Sequence, residues 1–441
     1  MQVTIHRGTK EIGGTCITVA TDRARVMFDI GMPLMGHGGE PFDQNSVTGK
    51  SVDYLIKAGV LPDVQGLYAG QQRAYDAIFI SHSHKDHYGL IKYLNPDIPV
   101  YMSRGAEAMI RGLDQFIRQA DRTSLGSVNS IKHREYLQLG DLTVTAYSVD
   151  HSAFDALAFH VRDGEGKTLL YTGDFRAAGW TGYRLGVMTN AIERPLHCLL
   201  MEGTTMAREE AEYPDEASVV KRVMEIIEAS PNDAVIPVYC SGQNIDRIVS
   251  LYKAVRNTRS TLVVDPYTAC MMRAAGNVAE KIPQIDWRQI RVFVANYGHG
   301  DRYINKISDK DMIRLIGARK IKQGDFGAKQ GRCLLLMRDT MIPVVEKIRQ
   351  IKENQLIYSL WPGYIKDKDK SQEFYSFVER NNLSIEYVHA SGHADLDTLL
   401  EVVKKLNPEK LAPIHTTAPH LFRKYFGASV ITVTDGVMFT V

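Results

Sequence analysis

Near the start of the chain, apolar and polar residues alternate in short runs. Residues 3–5, 15–19 and 25–29 follow this alternation, and Gly13-Gly14 and Gly31 separate them. Alternation is typical of strands with one buried face, and glycines favour the tight turns between such strands. The pattern therefore predicts hairpin strands at the beginning of the chain.

Further along, the apolar residues run together. Ala77–Ile80 is a continuous apolar run, which predicts a buried strand, and residues 89–94 can begin a helix. Between residues 217 and 264, helical patterns alternate with strand patterns. The predicted elements there are helices over 217–229 and 245–255 and strands over 234–238 and 261–264. This stretch predicts an α/β unit of its own.

Three histidines and an aspartate lie in the loop between the buried run and the following helix. His82 and His84 are two positions apart, so an extended segment presents them on the same side, and Asp86 and His87 follow where the chain turns. Converging imidazole and carboxylate groups suit zinc, manganese or iron better than calcium, which prefers oxygen ligands alone. A solvated loop rich in histidine is the simpler alternative, and the density of the four side chains argues against it.

Two later strands end in residues of the same kinds. The run 142–147 leads to His151, and the run 168–171 leads to Asp174. A second metal ion would need a further imidazole and a carboxylate able to bridge both ions. Asp29, at the end of a predicted strand, could support a ligand, although a turn-capping role explains it equally well.

Composition narrows the class of protein. The chain has 441 residues, of which 44% are hydrophobic, and this is enough for two or three domains. The net charge of +2 produces no general attraction to polyanions. The five cysteines are scattered without a C-x-x-C pair, which favours reduced thiols in the cytoplasm. We expect no signal peptide and no membrane association, because no apolar run has the necessary length.

The order of the candidate ligands resembles that of the metallo-β-lactamase fold. The matching succession is Asp29, His82-x-His84-x-Asp86-His87, His151 and Asp174. Residues 170–176 also resemble a motif of the nucleic-acid-processing branch of this fold, the β-CASP family. That family includes ribonuclease J, the messenger-RNA end-processing endonuclease and the DNA nuclease Artemis.

Three further segments resemble motifs that the β-CASP family adds. Glu202 follows an apolar strand, Ser391-Gly392-His393 is similar to the second added motif, and His415 lies in a segment similar to the third. Residues 11–14 and 59–63 look most like ribonuclease J. Histidine rather than valine at position 415 favours the RNA-acting members over the Artemis-like DNA nucleases.

The resemblance implies an α/β fold, a metallo-β-lactamase αββα sandwich with an inserted β-CASP α/β domain. Residues 1–206 and 366–441 would form the two parts of the sandwich, and residues 207–365 would form the insert. This arrangement explains why the candidate ligands stop at Asp174 and resume only at His393.

The end of the chain predicts two closing strands, over residues 430–433 and 436–441. These strands would complete the sandwich. We therefore expect the chain to lack the C-terminal extension that ribonuclease J carries, and its oligomeric state is left open.

The resemblance also implies a catalytic centre with two divalent cations, zinc or alternatively manganese. The predicted ligands are His82, His84 and His151 for one ion, Asp86, His87 and His415 for the other, and Asp174 as the bridge. A metal-activated hydroxide would attack the phosphodiester bond in line. The predicted catalytic residues are Asp86, Asp174, His393 and Glu202. His393 would stabilise the phosphate and could protonate the leaving oxygen, and Glu202 would orient a ligand histidine.

The candidate substrate contacts are Ser391, Gly392, His393, Ser241 and Arg338. Ser241 lies in a strand-to-helix turn whose backbone amides could receive a phosphate, although helix capping explains the turn equally well. Arg338 could also bind phosphate, and a salt bridge with Asp339 or another neighbour is the simpler interpretation.

Together these features predict a metal-dependent ribonuclease that acts on single-stranded RNA in the cytoplasm. Three alternatives stay open: a DNA nuclease, a hydrolase of a small phosphodiester or ester, and an inactive metal-binding partner protein. The complete set of ligands argues against the last. The choice between endonuclease and exonuclease is also open.

Overall fold

The computed structural model describes residues 1–36, 39–123, 125–208, 213–294, 303–327, 330–351 and 354–441. The chain divides into two units. Unit 1 comprises Met1–Glu210 and Gly392–Val441, and unit 2 comprises Ala211–Ser391. Each unit has its own core.

The first sheet of unit 1 combines two kinds of strand pairing. Its strands are β1 Gln2–Arg7, β2 Cys16–Ala20, β3 Arg25–Phe28, β4 Ala77–Phe79, β5 Val100–Met102, β6 Val128–Ser130 and β20 Met438–Thr440. Their order is β20-β1-β2-β3-β4-β5-β6. Pairing is antiparallel from β20 to β3 and parallel from β3 to β6. Because β3 and β4 run in the same direction, the loops that follow them leave the sheet at the same edge.

The second sheet of unit 1 brings four strand ends to one edge. Its strands are β7 Tyr136–Leu139, β8 Leu142–Ser148, β9 Leu157–Arg162, β10 Thr168–Tyr171, β11 Cys198–Glu202 and β19 Lys410–Ile414, in the order β19-β11-β10-β9-β8-β7. Both β8 and β10 are antiparallel to β9, while β10, β11 and β19 pair in parallel. The strands β8, β10, β11 and β19 therefore all run in one direction.

The two sheets of unit 1 pack face to face, and helices cover their outer faces. The helices are α1 Val52–Lys57, α2 Lys85–Tyr88, α3 Arg104–Asp114, α4 Tyr183–Ala191, α11 Leu396–Leu406 and α12 Pro419–Phe426. Phe28 of the first sheet contacts Phe159 and Tyr171 of the second, with ring centroids 5.4 and 5.6 Å apart. One apolar cluster joins the first sheet to α1 and α3, and another joins the second sheet to α4, α11 and α12. The predicted αββα sandwich is confirmed.

Unit 2 is built on a parallel sheet. Its strands are β12 Val235–Tyr239, β13 Thr261–Val264, β14 Ile290–Phe293, β15 Lys320–Ile321, β16 Cys333–Met337, β17 Gln355–Tyr358 and β18 Ser384–Tyr387, in the order β15-β14-β13-β16-β12-β17-β18. Its helices are α5 Glu216–Ala229, α6 Ile245–Asn257, α7 Pro266–Gly276, α8 Lys310–Arg319, α9 Ile342–Val345 and α10 Gln372–Arg380. The strands β12 and β16 are buried along their whole length, as is typical of parallel sheets covered on both faces. None of the helices in the described ranges is long and apolar enough for a membrane crossing.

Unit 2 extends further along the chain than the sequence-based boundary after residue 365. The strand β18 pairs in parallel with β17, and Phe374 and Phe377 of α10 belong to the apolar core of unit 2. Residues 366–391 therefore belong to unit 2 rather than to the sandwich. A helix-strand pattern does not say which sheet it completes, because that depends on strand pairing.

The closing strand predicted over residues 430–433 is wrong. Val430 makes an isolated bridge to Leu411 of β19, whereas β20 pairs with β1 in the other sheet. The chain crosses from one sheet to the other between these contacts, so this segment cannot keep a ladder with either sheet. The second predicted strand, over residues 436–441, forms as the shorter β20.

A buried ion pair ties the elements of unit 2 together. Arg247 on α6 is fully buried, and its guanidinium lies 3.0 Å from the carboxylate of Glu216 on α5. The same guanidinium donates to the carbonyl oxygens of Ser359 at 3.1 Å and Ala390 at 3.2 Å. Ser250 donates to Glu216 at 2.6 Å. The arginine thus links two helices to the segments that follow β17 and β18.

Replacing Arg247 with methionine should lower the free energy of unfolding of unit 2 by about 3–5 kcal/mol, because Glu216 would keep a buried charge without its partner. Urea denaturation of the full chain followed by tryptophan fluorescence measures this loss. Two of the three tryptophans, Trp287 and Trp361, lie in unit 2.

The matched control is Arg222→Met, which removes a partly exposed ion pair with Glu386. Such a pair contributes about 0–1 kcal/mol, so this variant should unfold close to the wild-type urea concentration. Equal losses in the two variants would mean that the buried pair does not stabilise unit 2 as described.

Candidate metal centre

The residues predicted as metal ligands all follow the carboxyl ends of strands in unit 1. The segment from His82 to His87 follows β4, His151 follows β8, Asp174 follows β10 and His415 follows β19. Strands that run in the same direction bring such loops to one edge of the sandwich. Asp86 and His415 are 329 positions apart in the sequence, and yet their side chains lie 3.2 Å apart.

Among the predicted ligands are two groups of three side chains, and inside each group the ligand atoms lie within 4.8 Å of one another. One group is His82, His84 and His151, and the other is Asp86, His87 and His415. His82 and His87 belong to different groups, and their ring centroids are only 4.0 Å apart. The two groups are therefore neighbours in a single cluster that can bind metal.

Asp174 reaches both groups. Its Oδ2 lies 3.2 Å from Nε2 of His87, 3.8 Å from Nε2 of His82 and 4.0 Å from Nε2 of His151. Its Oδ1 lies 3.6 Å from Nδ1 of His415. One carboxylate therefore lies close to histidines of both groups.

Several polar atoms of the cluster fit a metal site. Within the described ranges, Nε2 of His82, Nε2 of His87 and both carboxylate oxygens of Asp174 are buried and have no hydrogen bond of good geometry. Buried polar atoms in a folded protein are nearly always hydrogen-bonded. A bound cation would satisfy these atoms, and imidazole with carboxylate is a donor set that transition-metal ions accept.

The two carboxylates of the cluster are held in the ionised form. Burial by itself would raise the pKa of Asp174, but the charges of His415 and His87 hold it well below its ordinary value. Burial would likewise raise the pKa of Asp86, but a hydrogen bond from His415 and the charges of nearby histidines lower this pKa to about 2. Ionised carboxylates are the form that binds a cation.

Three imidazoles of the cluster, those of His82, His84 and His151, are held neutral. Burial lowers the pKa of His84 to about 4 and that of His82 well below its ordinary value. At His87 the shift is in the opposite direction: burial would lower its pKa, but Asp174 and Asp29 hold it well above the ordinary value. Metal binding at His87 would therefore release a proton.

Asp29 positions His87. Its Oδ2 accepts a hydrogen bond from Nδ1 of His87 at 2.7 Å, and it also accepts from the hydroxyl groups of Ser81 and Tyr171. Of the two explanations that the sequence left open for Asp29, the structure favours support of a candidate ligand. Ser81 and Tyr171 were not predicted, although Ser81 directly precedes His82.

Thr204 positions His415 and was also missed. Its hydroxyl lies 2.8 Å from Nδ1 of His415. His415 has a φ of 49°, and Asp29 has a φ of 58°. This left-handed conformation is costly for residues other than glycine and is frequent at functional sites. The signal in the sequence was the position of Thr204, two residues after Glu202.

Glu202 contacts His393, the histidine that was predicted to contact the phosphate. Its Oε2 lies 3.0 Å from Nδ1 of His393, and its Oε1 accepts from the backbone amide of Phe175 at 2.8 Å. Glu202 therefore holds His393 and the turn after Asp174, rather than a predicted ligand. The sequence predicts where the strand ends, but it does not predict which histidine the side chain of Glu202 contacts.

Gly392 has a packing role beside the cluster. A Cβ atom on this residue would lie 2.7 Å from Oγ of Ser152, the residue after His151. Only glycine allows the backbone to pass so close. Ser391 is the last residue of unit 2.

Ser241 and Arg338, the candidate contacts in the interior of the unit 2 sequence, already have local partners. The hydroxyl of Ser241 accepts from the backbone amide of Gln243 at 3.2 Å, and Asn244 caps α6. Arg338 pairs with Asp265, not with Asp339, and its guanidinium lies 4.8 Å from the ring centroid of Tyr267.

Comparison with known protein families finds two matching domains. Residues 61–238 match the beta-lactamase superfamily domain, and residues 380–429 match the Zn-dependent metallo-hydrolase RNA specificity domain. The second match contains His393 and His415. Both matches thus include residues of the cluster.

Individual relatives agree with these matches. Ribonuclease J of Sinorhizobium meliloti is 27% identical over 82% of this chain, and transcription termination factor FttA of Methanothermobacter thermautotrophicus is 24% identical over 94%. The aligned regions span 61% and 66% of those two proteins. A crystal structure of a protein of unknown function from Enterococcus faecalis covers 100% of this chain and 99% of its own, with a TM-score of 0.80 and 20% identity, and shares the fold.

The two domain matches follow the order of the cluster residues along the chain, and the fold is the αββα sandwich with an inserted parallel unit. The chain therefore carries a beta-lactamase superfamily domain followed by a Zn-dependent metallo-hydrolase RNA specificity domain, and it is similar to ribonuclease J and FttA over most of its length.

Proposed function

We propose that this protein is a metal-dependent ribonuclease that hydrolyses phosphodiester bonds of single-stranded RNA. The observation that carries the proposal is the pair of ligand groups joined by Asp174, with His393 held beside them by Glu202. RNA as the substrate is supported by the match to the RNA specificity domain and by the names of the relatives.

Two divalent cations, zinc or manganese, fit the two groups. We assign His82, His84 and His151 to one ion, Asp86, His87 and His415 to the other, and Asp174 to both. When bound, such ions supply an activated water molecule and neutralise the charge of the phosphate. Asp29 and Thr204 each fix one imidazole ring, so that His87 and His415 are held ready for a cation.

His393 is proposed to contact the phosphate. Because Glu202 engages Nδ1, the contact with a phosphate oxygen would come from Nε2. Burial would lower the pKa of His393, but Glu202 and Asp174 raise it, so the protonated ring can donate a hydrogen bond and later a proton to the leaving oxygen. Glu202 thus acts as a positioning residue.

The remaining proposed contacts lie on both sides of the boundary between the two units in the sequence. Ser391 and Gly392 precede His393 and are assigned to the substrate, as are Ser241 and Arg338 in unit 2. Arg338 would have to release or share Asp265 in order to bind a phosphate. We propose the cytoplasm as the location, since the five cysteines are all free and buried.

Protein purified without chelator should carry close to two transition-metal ions per chain. His84→Ala should lose at least one of them, because one group of ligands would keep only two imidazoles. His420→Ala changes an exposed histidine of α12 and should keep both ions. Elemental analysis measures the content, and protein that holds no metal and takes up none on titration would exclude the assignment.

Asp86→Asn and Asp174→Asn should each slow the cleavage of end-labelled single-stranded RNA by at least roughly 100-fold, because each removes a ligand charge without changing side-chain size. Asp22→Asn, at an exposed aspartate, is the matched control and should cleave at the wild-type rate. DNA oligonucleotides and cyclic nucleotides serve as competing substrates. If the two variants retain wild-type activity, the cleavage comes from a contaminant.

His415→Ala and His393→Ala should fail in different ways. Loss of His415 removes a ligand, so metal content should fall, and added manganese or zinc should restore part of the activity. Loss of His393 should leave the metal in place and slow cleavage by roughly 100-fold without rescue. Metal content and single-turnover cleavage measured side by side distinguish the two, and the opposite pattern would mean that their roles are exchanged.

A further inference from the structure

A cavity of about 180 Å³ in unit 1 has a lining rich in positive charge. Its charged residues are Lys85, Lys92, Arg118 and Asp121. Lys85 is the first residue of α2 and lies between the candidate ligands His84 and Asp86 in the sequence. The role proposed for the metal centre makes no use of this cavity.

One wall of the cavity comes from the long connection between β3 and β4. Four residues of this connection line the cavity, and side chains from elsewhere in unit 1 hold them in place; they are Gln44, Asn45, Val47 and Thr48. Gln44 accepts a hydrogen bond from Nζ of Lys85 at 3.0 Å, and Asn45 accepts from Nη2 of Arg118 at 3.0 Å. The hydroxyl of Tyr93 donates to the carbonyl oxygen of Val47 at 2.7 Å. These hydrogen bonds therefore hold this part of the connection in a defined position against the rest of unit 1.

The cavity has an excess of cations. The carboxylate of Asp121 is engaged by Arg118 at 2.8 Å and by the hydroxyl of Thr48. Within the described ranges, neither Lys85 nor Lys92 forms an ion pair with a carboxylate. The ammonium group of Lys92 lies 5.2 Å from the ring centroid of Tyr93. The lining thus holds three cationic side chains and one carboxylate that Arg118 already engages, and this excess of positive charge favours the binding of an anion.

We propose that this cavity binds a phosphate group, and that the group is an internucleotide phosphate of the RNA, held away from the bond that is cut. The volume corresponds to about six water molecules at roughly 30 Å³ each, which is room for a tetrahedral oxyanion and its water. Gln44 and Asn45 line the same cavity, and their side-chain amide N–H groups can donate hydrogen bonds to phosphate oxygens. The choice of RNA as the source rests on the proposed function, whereas the phosphate site itself does not.

The alternative is that the cations only fasten the connection to the sandwich. This explains Arg118 and Lys85, each of which contacts a side chain of residues 44–48. It does not explain Lys92, for which no hydrogen bond to the connection is found among the described residues. Lys92 is therefore the residue to change, and it is not adjacent to a candidate metal ligand.

The first experiment measures the binding of inorganic phosphate to the metal-loaded full chain by calorimetry. Phosphate can also bind at the metal centre, so the comparison is between variants. Lys92→Gln should weaken one binding event by about tenfold, the loss expected for one charge-assisted hydrogen bond. Lys92→Arg keeps the charge and should keep the affinity. Lys57→Gln changes an exposed lysine of the same connection and should bind like wild type.

The second experiment identifies the source of the phosphate. Binding of a labelled single-stranded RNA is measured at several salt concentrations in the slow His393→Ala background. Each lost phosphate contact reduces the slope of log affinity against log salt by roughly 0.7. Adding Lys92→Gln should reduce the slope by about this amount, and adding Lys57→Gln should leave it unchanged.

The two experiments distinguish three outcomes. Weaker phosphate binding with an unchanged RNA slope keeps the cavity as a phosphate site and assigns it to a free phosphate or a small phosphate ester. Unchanged phosphate binding and an unchanged slope in Lys92→Gln, with wild-type unfolding, overturn the proposal. A chain that binds phosphate through Lys92 but does not cleave RNA would remove the proposed function and leave the cavity site standing.

Discussion

The buried carboxylate of Asp174 is the group on which the centre depends. It is 2% exposed and touches histidines of both ligand groups. A buried charge is stable only when opposite charge or hydrogen bonds surround it. In this chain the compensation comes from imidazoles, and a pair of cations would supply it more completely. The same requirement explains why the strands of both sheets of unit 1 deliver their loops to one place.

Around this carboxylate, each supporting residue fixes one imidazole. Asp29 engages His87, Thr204 engages His415, and Glu202 engages His393. A hydrogen bond at one ring nitrogen determines the tautomer and the orientation of the imidazole before a cation or a substrate binds. Thr204 and Glu202 lie at the end of β11, so one strand supports both late histidines. This shared support places the proposed metal ligand His415 and the proposed phosphate contact His393 beside the same strand end.

Unit 2 uses buried charge for another purpose. The guanidinium of Arg247 on α6 donates hydrogen bonds to Glu216 on α5 and to the carbonyl oxygens of Ser359 and Ala390, which follow β17 and β18. Arg338 is paired with Asp265 but keeps part of its surface exposed and lies over the ring of Tyr267. The ion pair of Arg247 therefore stabilises the fold of unit 2. Arg338, by contrast, places a cation at the carboxyl end of β16, at the edge of a parallel sheet where ligands of such folds commonly bind.

The sequence by itself determined the strands, the inserted unit and the identity of the cluster residues, because strand periodicity and the spacing His82-x-His84-x-Asp86-His87 are local properties. It also predicted the sandwich through its resemblance to a known fold. Tertiary structure decided what depends on pairing. The assignment of residues 366–391 to unit 2 follows from the β17–β18 ladder, and the failure of a strand at residues 430–433 follows from a crossing between sheets. The partner of Glu202 and the cation-lined cavity were likewise invisible in the sequence, since each joins side chains that only the packing of distant segments brings within a few ångströms.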